Sequence, residues 1–242
     1  MSLPSIVAID GPAASGKSTI GAMLAEKLGY VYFDTGVMYR AVTWVALQRG
    51  IAISNEEAIV RLSESLCIEV TRPTEDDGRQ YTVYADGVDV TWDLRRPEVN
   101  RYVSPVSAYP GVRRALVAQQ RRIGRQGRIV MTGRDIGTVV LPEADLKLYL
   151  DALVGERSRR RYLEVVLRGR GEEPGGASEQ GPTGRSDPEY DAIYEAMVRR
   201  DHIDSSREVA PLRPASDAVI IDTTEMSIDQ VLGRILELFR GG

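Results

Sequence analysis

The sequence predicts an α/β protein built on a parallel, doubly wound sheet, and three observations carry that reading. Short apolar, mostly β-branched runs alternate with segments of helical period along the chain. A glycine-rich turn, Gly11-x4-Gly16-Lys17-Ser18, joins the first run to the first helical segment. Hairpin signals are confined to one stretch, 67–91, so the antiparallel part reads as an insertion rather than the frame.

Ile6-Val7-Ala8-Ile9 reads as a buried strand that ends in Asp10-Gly11, and a helical pattern opens at Lys17. Glycines there let the backbone wrap so that several N–H groups face one anion, and the helix N-terminus adds its partial positive charge. Lys17 would reach the outer phosphates of a nucleotide, and the Ser18 hydroxyl would ligate Mg²⁺. A glycine-rich turn before an ordinary helix is the plainer alternative. Strand, loop and helix in this order favour a phosphate site. The chain is therefore expected to bind a nucleoside triphosphate, with Gly11, Pro12, Ala13, Ala14, Ser15, Gly16, Lys17, Ser18 and Thr19 forming the cradle.

Ile20, Met23, Leu24 and Leu28 share a helical face that Gly29 closes. Val31-Tyr32-Phe33 is the second strand, and Val37 to Arg49 the next helix, stopped by Gly50. Ser54 with Glu57 reads as a capping box for a helix to about Leu66. Ile68-Glu69-Val70 and Tyr81-Thr82-Val83-Tyr84 alternate around Asp76-Asp77-Gly78 and Asp86-Gly87 turns. Pro97 opens a helix that Tyr109-Pro110 interrupts, and Val112, Leu116 and Ile123 mark its successor. Residues 128–132 are taken as the central strand; 146–150 and 218–222 complete five. Glu156 to Arg168 is helical. Gly169 to Asp187, with six glycines and two prolines, cannot bury a core and reads as a mobile loop. Asp187-Pro188 restarts a helix with Tyr190, Ile193, Tyr194 and Met197 inward, and Ser227 with Gln230 caps the last one.

Composition removes several function classes. A net charge of −4 offers no basic field for nucleic acid, and none is expected as a partner. Cys67 alone cannot build a disulfide framework, which fits a cytoplasmic protein. The sole histidine, His202, excludes His-clustered metal sites. No apolar run approaches the ~18 residues of a membrane span, and the N-terminal stretch does not read as a signal peptide. Only Lys17, Lys27 and Lys147 are lysines, so one of three sits in the phosphate loop.

Ligands of such sheets lie beyond the carboxyl ends of the strands. Asp34-Thr35-Gly36 with Tyr39-Arg40, Gly133-Arg134-Asp135, and Arg200-Asp201-x2-Asp204-Ser205-x-Arg207 fall there. Arg157, Arg160, Arg161 and Arg168 share a helix face beside the glycine-rich loop. Each cluster alone could be a solvated surface. Together they form the ring of guanidiniums that two phosphate-bearing molecules need to offset their repulsion. An arginine-bearing helix beside a loop suits a water-excluding lid. A phosphate monoester acceptor is largely ionised at neutral pH, its second pKa being about 6, so no general base is required.

These stretches resemble the bacterial type of cytidylate kinase, a family of P-loop nucleoside monophosphate kinases. The carrying residues are Ile9 to Thr19, Asp34 to Arg40, Pro110 to Arg113 with Gln120-Arg121, Gly133 to Val140, and Arg200 to Arg207 leading to Ala210-Pro211-Leu212. The resemblance implies a three-layer P-loop NTPase core with a five-stranded parallel sheet, one kinase domain over 1–242. It further implies a monophosphate-binding region at 36–108 with its small sheet at 67–91, and a helical lid at 155–187. Arg40, Arg134 and Arg207 would hold the CMP phosphate, with Thr35 and Tyr39 nearby. Ser104, Arg113 and Asp135 would read the cytosine edge, and Arg200 and Asp204 would contact the pentose. Lys17, Arg134, Arg157, Arg161 and Arg207 would act on the transferring phosphoryl group. ATP and Mg²⁺, a CMP or dCMP acceptor and a monomeric state follow from the same likeness.

Two other readings stay open. A shikimate- or adenylate-type P-loop kinase would share residues 6–19 but lack the Arg113/Asp135 pairing. A P-loop switch protein of the GTPase class should carry Asn-Lys-x-Asp, and no Asn precedes any lysine of this chain.

Overall fold

The computed structural model describes residues 3–71, 73–170 and 187–239, with the backbone alone for 166–170. Strand β1 (Ile6–Asp10) lies at the middle of a five-stranded parallel sheet. β2 (Val31–Asp34), β6 (Ile129–Gly133), β7 (Leu146–Asp151) and β8 (Val219–Asp222) complete it in the order β2-β6-β1-β7-β8. The central position thus belongs to β1 rather than to 128–132. Val7, Ala8 and Ile9 are fully buried, as a strand covered on both faces requires. β8 is an edge: only Ile221 turns to the core, and Ile220 is 60% exposed.

Two apolar layers sandwich this sheet. Val7, Ile9, Val130 and Leu148 face α1 (Lys17–Leu28) and α8 (Ile228–Leu238). Ala8, Phe33, Ile129 and Met131 face α2 (Gly36–Gln48), α3 (Glu56–Ser65), α4 (Pro97–Ala108) and α5 (Pro110–Gly124). The alternation of Ile129, Val130 and Met131 between layers is the two-residue period of a strand. α6 (Val154–Arg170) and α7 (Pro188–Ser206) pack on each other beside the sheet's carboxyl edge.

The antiparallel insertion is present as β3 (Ile68–Thr71), β4 (Thr82–Ala85) and β5 (Val88–Asp89). Asp86 and Gly87 turn β4 into β5 with φ of 49° and 78°, the left-handed pair a tight hairpin needs. α3 is capped by Asn55, whose side chain accepts from Ala58 N, and not by Ser54; Asn55 sits one residue closer to the helix. The Asp187 and Ser227 caps form as expected. Tyr194 is 38% exposed instead of inward. The expected glycine-rich connection lies, from 171 to 186, outside the described residues.

Candidate active site

Parallel register brings the ends of β2, β6, β1 and β7 to one edge, pairing Asp34 with Thr132, and Asp10 with Gly133 and Tyr149. A cleft of about 1060 Å³ opens above that edge. Its floor is the phosphate loop. Gly11 adopts φ +146°, and a Cβ there would fall 2.0 Å from the Leu150 carbonyl oxygen, so the loop can leave β1 this way only through glycine. Ala13, Ala14, Gly16, Lys17, Ser18 and Thr19 line the cleft, while Gly11, Pro12 and Ser15 form the buried back of the loop. Lys17 Nζ donates to the Pro12 carbonyl and, at 3.3 Å, to Ser15 Oγ.

Cations crowd the cleft beside Lys17. Burial, then repulsion from Arg134 and Arg200, holds the Lys17 ammonium well below the usual lysine range. Burial and the neighbouring guanidinium of Arg134, with smaller pushes from Arg40 and Arg161, bring Arg200 down to about 9. Arg40 is lowered in the same way, by burial first and then by Arg161 and Arg134 against the pull of Asp34. Five positive side chains on β6's end, α1, α2, α6 and α7 thus meet, and among the described residues three of them, Lys17, Arg40 and Arg200, lack a hydrogen-bonded carboxylate of the kind that raises Arg134. Arg40 is aimed by Asn100 Oδ1 at 2.6 Å and the Leu94 carbonyl at 3.0 Å. Arg134 is held by Asp204, Nε to Oδ2 at 2.9 Å. Such a cluster is built for a ligand with several anionic oxygens.

The far end of the cleft has a different chemistry. Arg113, 2% exposed, donates to Asp135 and to the Ser107 carbonyl at 3.0 Å, over the Tyr39 ring at 5.4 Å. Arg207 Nη2 stands 3.9 Å from the other Asp135 oxygen. Ser104 and Thr35 are buried on the same wall, Thr35 donating to the Thr132 carbonyl at 2.9 Å. The Tyr39 hydroxyl, Arg113 Nε, Arg200 Nε and Arg207 Nη2 are buried with no hydrogen-bond partner. A wall with one acceptor carboxylate, a guanidinium and unpaired donors suits a flat heterocycle carrying both an amine and carbonyl acceptors.

The sequence-predicted residues converge, with one correction. Lys17, Thr35, Tyr39, Arg40, Ser104, Arg113, Arg134, Asp135, Arg161, Arg200, Asp204 and Arg207 all line this cleft. Arg157 does not. It is 4% exposed, Nε bonded to the Ala152 carbonyl and both terminal nitrogens on Asp201. Arg157, Arg160 and Arg161 keep the i, i+3, i+4 spacing of α6, but their guanidiniums part, Arg160 turning to the Thr223 carbonyl at 2.6 Å and Arg161 to Glu164 at 2.7 Å. The Arg168 side chain lies outside the described residues. Sequence reasoning missed three partners. Asp34 Oδ2 accepts from Ser18 Oγ at 3.3 Å, Asn100 aims Arg40, and Asp201 holds Arg157. Asp34 and Asp201 sat inside the motifs already singled out, whereas Asn100 had no sequence signal. Ser18 and Asp34 form a pair of hard oxygens on the loop's phosphate side, the donor chemistry that suits Mg²⁺ completed by phosphate and water.

A family model described as cytidylate kinase matches residues 7–241. The cytidylate kinase of Chloroflexus aggregans is 47% identical over 239 residues, covering 99% of this chain and 95% of that protein. The cytidylate kinase of Roseiflexus castenholzii is 45% identical, covering 98% of this chain and 94% of its own length. That of Bacillus subtilis is 44% identical, covering 96% of this chain and 94% of its own.

Proposed function

The chain belongs to the cytidylate kinase family, and from that premise we propose that it transfers the γ-phosphoryl group of ATP to CMP or dCMP, giving the diphosphate and ADP. One observation carries the reading: a single cleft joins a phosphate loop and a surplus of guanidiniums to a buried Arg113–Asp135 pair.

The triphosphate lies along Gly11 to Thr19, whose amides and helix N-terminus receive its oxygens. Ser18, with Asp34 beside it, would hold Mg²⁺, which would supply charge neutralisation to the triphosphate. CMP lies opposite. Its phosphate meets Arg40, Arg134 and Arg207, and its pentose meets Arg200 and Asp204. Asp135 accepts from the exocyclic amine, and Arg113 and Ser104 donate to the ring acceptors. UMP would present a carbonyl to Asp135, setting one acceptor against another where CMP offers a donor, and that buried contact would be lost. The acceptor oxygen is already ionised, so in-line attack needs alignment and charge cancellation more than a base. Lys17, Arg134 and Arg161 supply that cancellation where the two phosphates meet. Residues 36–108 would form the monophosphate-binding region, and 155–187 the lid. Cys67 as a free thiol and nucleotide substrates fit a cytoplasmic setting.

A coupled ADP-release assay across CMP, dCMP, UMP, AMP and shikimate tests the assignment. CMP or dCMP should turn over fastest. Faster turnover of AMP or shikimate would overturn it.

A further inference from the structure

Asp135 stands at the head of an irregular turn, Ile136–Val140, wound in π fashion. An aspartate in that position commonly bends back to the free amides of its own turn. Asp135 makes no such bond; its carboxylate reaches into the cleft toward Arg113 and Arg207. The two amides are taken instead by the end of the neighbouring strand. Asp10 Oδ1 accepts from Ile136 N and Oδ2 from Gly137 N, each at 2.8 Å. Asp10 is 3% exposed and immediately precedes Gly11, the first residue of the phosphate loop.

We propose that Asp10 is a positioning residue for base selection: it caps the turn in place of Asp135, leaving the Asp135 carboxylate free to meet the base and fixed relative to the phosphate loop. This rests on the reading of Asp135 as the base-reading group. An asparagine at position 10 has one acceptor oxygen, and its NH₂ would face an N–H. One buried amide would then lose its partner, and Asp135 would be the nearest carboxylate able to replace it.

The test compares kcat/KM for CMP and UMP at saturating ATP in wild type, Asp10→Asn, Gly137→Ala and Asp135→Asn. Asp10→Asn should cut the CMP-to-UMP ratio about tenfold through a higher KM for CMP, with the KM for ATP within about twofold. Gly137→Ala keeps every charge, but its methyl would lie 3.4 Å from Asp10 Oδ2 and 3.2 Å from the Lys147 stem. It should shift the ratio the same way, about threefold, and it decides the matter if Asp10→Asn does not fold. Equal losses for CMP and UMP in both variants, with the ratio intact, overturn the role of Asp10. Asp135→Asn separates the two levels. If it too leaves the ratio unchanged, the base-reading assignment itself fails; if it alone collapses the ratio, only the positioning role does.

Discussion

Arg157 grips Asp201 with both terminal nitrogens, at 3.2 and 2.6 Å, and turns Nη1 also onto the Ala13 carbonyl of the phosphate loop at 3.2 Å. One guanidinium therefore ties α6 and α7 to the loop. A planar fork holds the carboxylate with two parallel N–H groups and meets the carbonyl in a fixed geometry, which the freely rotating donors of an ammonium do not impose. α7 also carries Arg200 and Asp204, so the brace links the element proposed to contact the acceptor to the phosphate loop.

That arrangement separates Arg157 from Arg161. Arg157→Ala should cost about 2 kcal/mol of folding stability, less than the 3–5 of a fully buried pair because Asp201 is partly exposed. Arg161→Ala should leave stability within about 0.5 kcal/mol, since its pair with Glu164 is exposed, yet lower kcat about 100-fold. Urea melts beside turnover measurements read both. Equal stability losses in the two variants would dissolve the distinction.

Lys17→Ala should lower kcat by about three orders of magnitude, as loss of a positioned charge on the transferring phosphate does. The fold should survive, because removing a buried ammonium relieves repulsion from Arg134 and Arg200. Retained activity with an unchanged melt would remove Lys17 from the chemistry.

Most of this architecture was legible in the sequence because it is local. A phosphate loop declares itself by glycine spacing, a strand by β-branched runs, and the Asp187 and Ser227 caps by residues that touch their own helices. The errors arose where tertiary partners decide. Periodicity placed Arg157, Arg160 and Arg161 on one helix face, but Asp201, Thr223 and Glu164 draw them three ways. Strand order also escaped, because 6–10 and 128–132 are equally apolar and only the pairing shows which is central. The Asp10 contact spans 126 residues, and no local pattern reports it.

Asp10 also sets a pH signature. Burial, opposed by the Ile136 and Gly137 amides, pushes its carboxyl up to about 6 from 3.8. The folded chain then binds that proton more tightly than the unfolded one. The resulting stabilisation is full below about pH 4, falls as pH rises through 6, and is absent above. Between pH 5 and 7 this group alone removes about 1 kcal/mol, a slope that Asp10→Asn should abolish. Urea midpoints at the two pH values check it, and identical slopes in both proteins would contradict the buried charge.

The cation cluster makes a final prediction about ligands. Lys17, Arg40 and Arg200 are all held below their ordinary pKa by burial and then by neighbouring guanidiniums, Arg134 common to all three, so the free cleft carries unrelieved repulsion. A phosphate monoester relieves it; a nucleoside does not. CMP at 100 times its Kd should add about 2.7 kcal/mol of stability, a rise in Tm of about 5–10 °C for a chain of this size. Cytidine at the same concentration keeps the Arg113 and Asp135 contacts but leaves the guanidiniums facing each other, and should raise Tm by about 2 °C or less. Adding salt should shrink the CMP effect only modestly, because the charges it pairs with are buried. Differential scanning fluorimetry on the intact protein gives all three values, and a cytidine shift matching that of CMP would show that the phosphate end of the cleft is not where binding energy is gained.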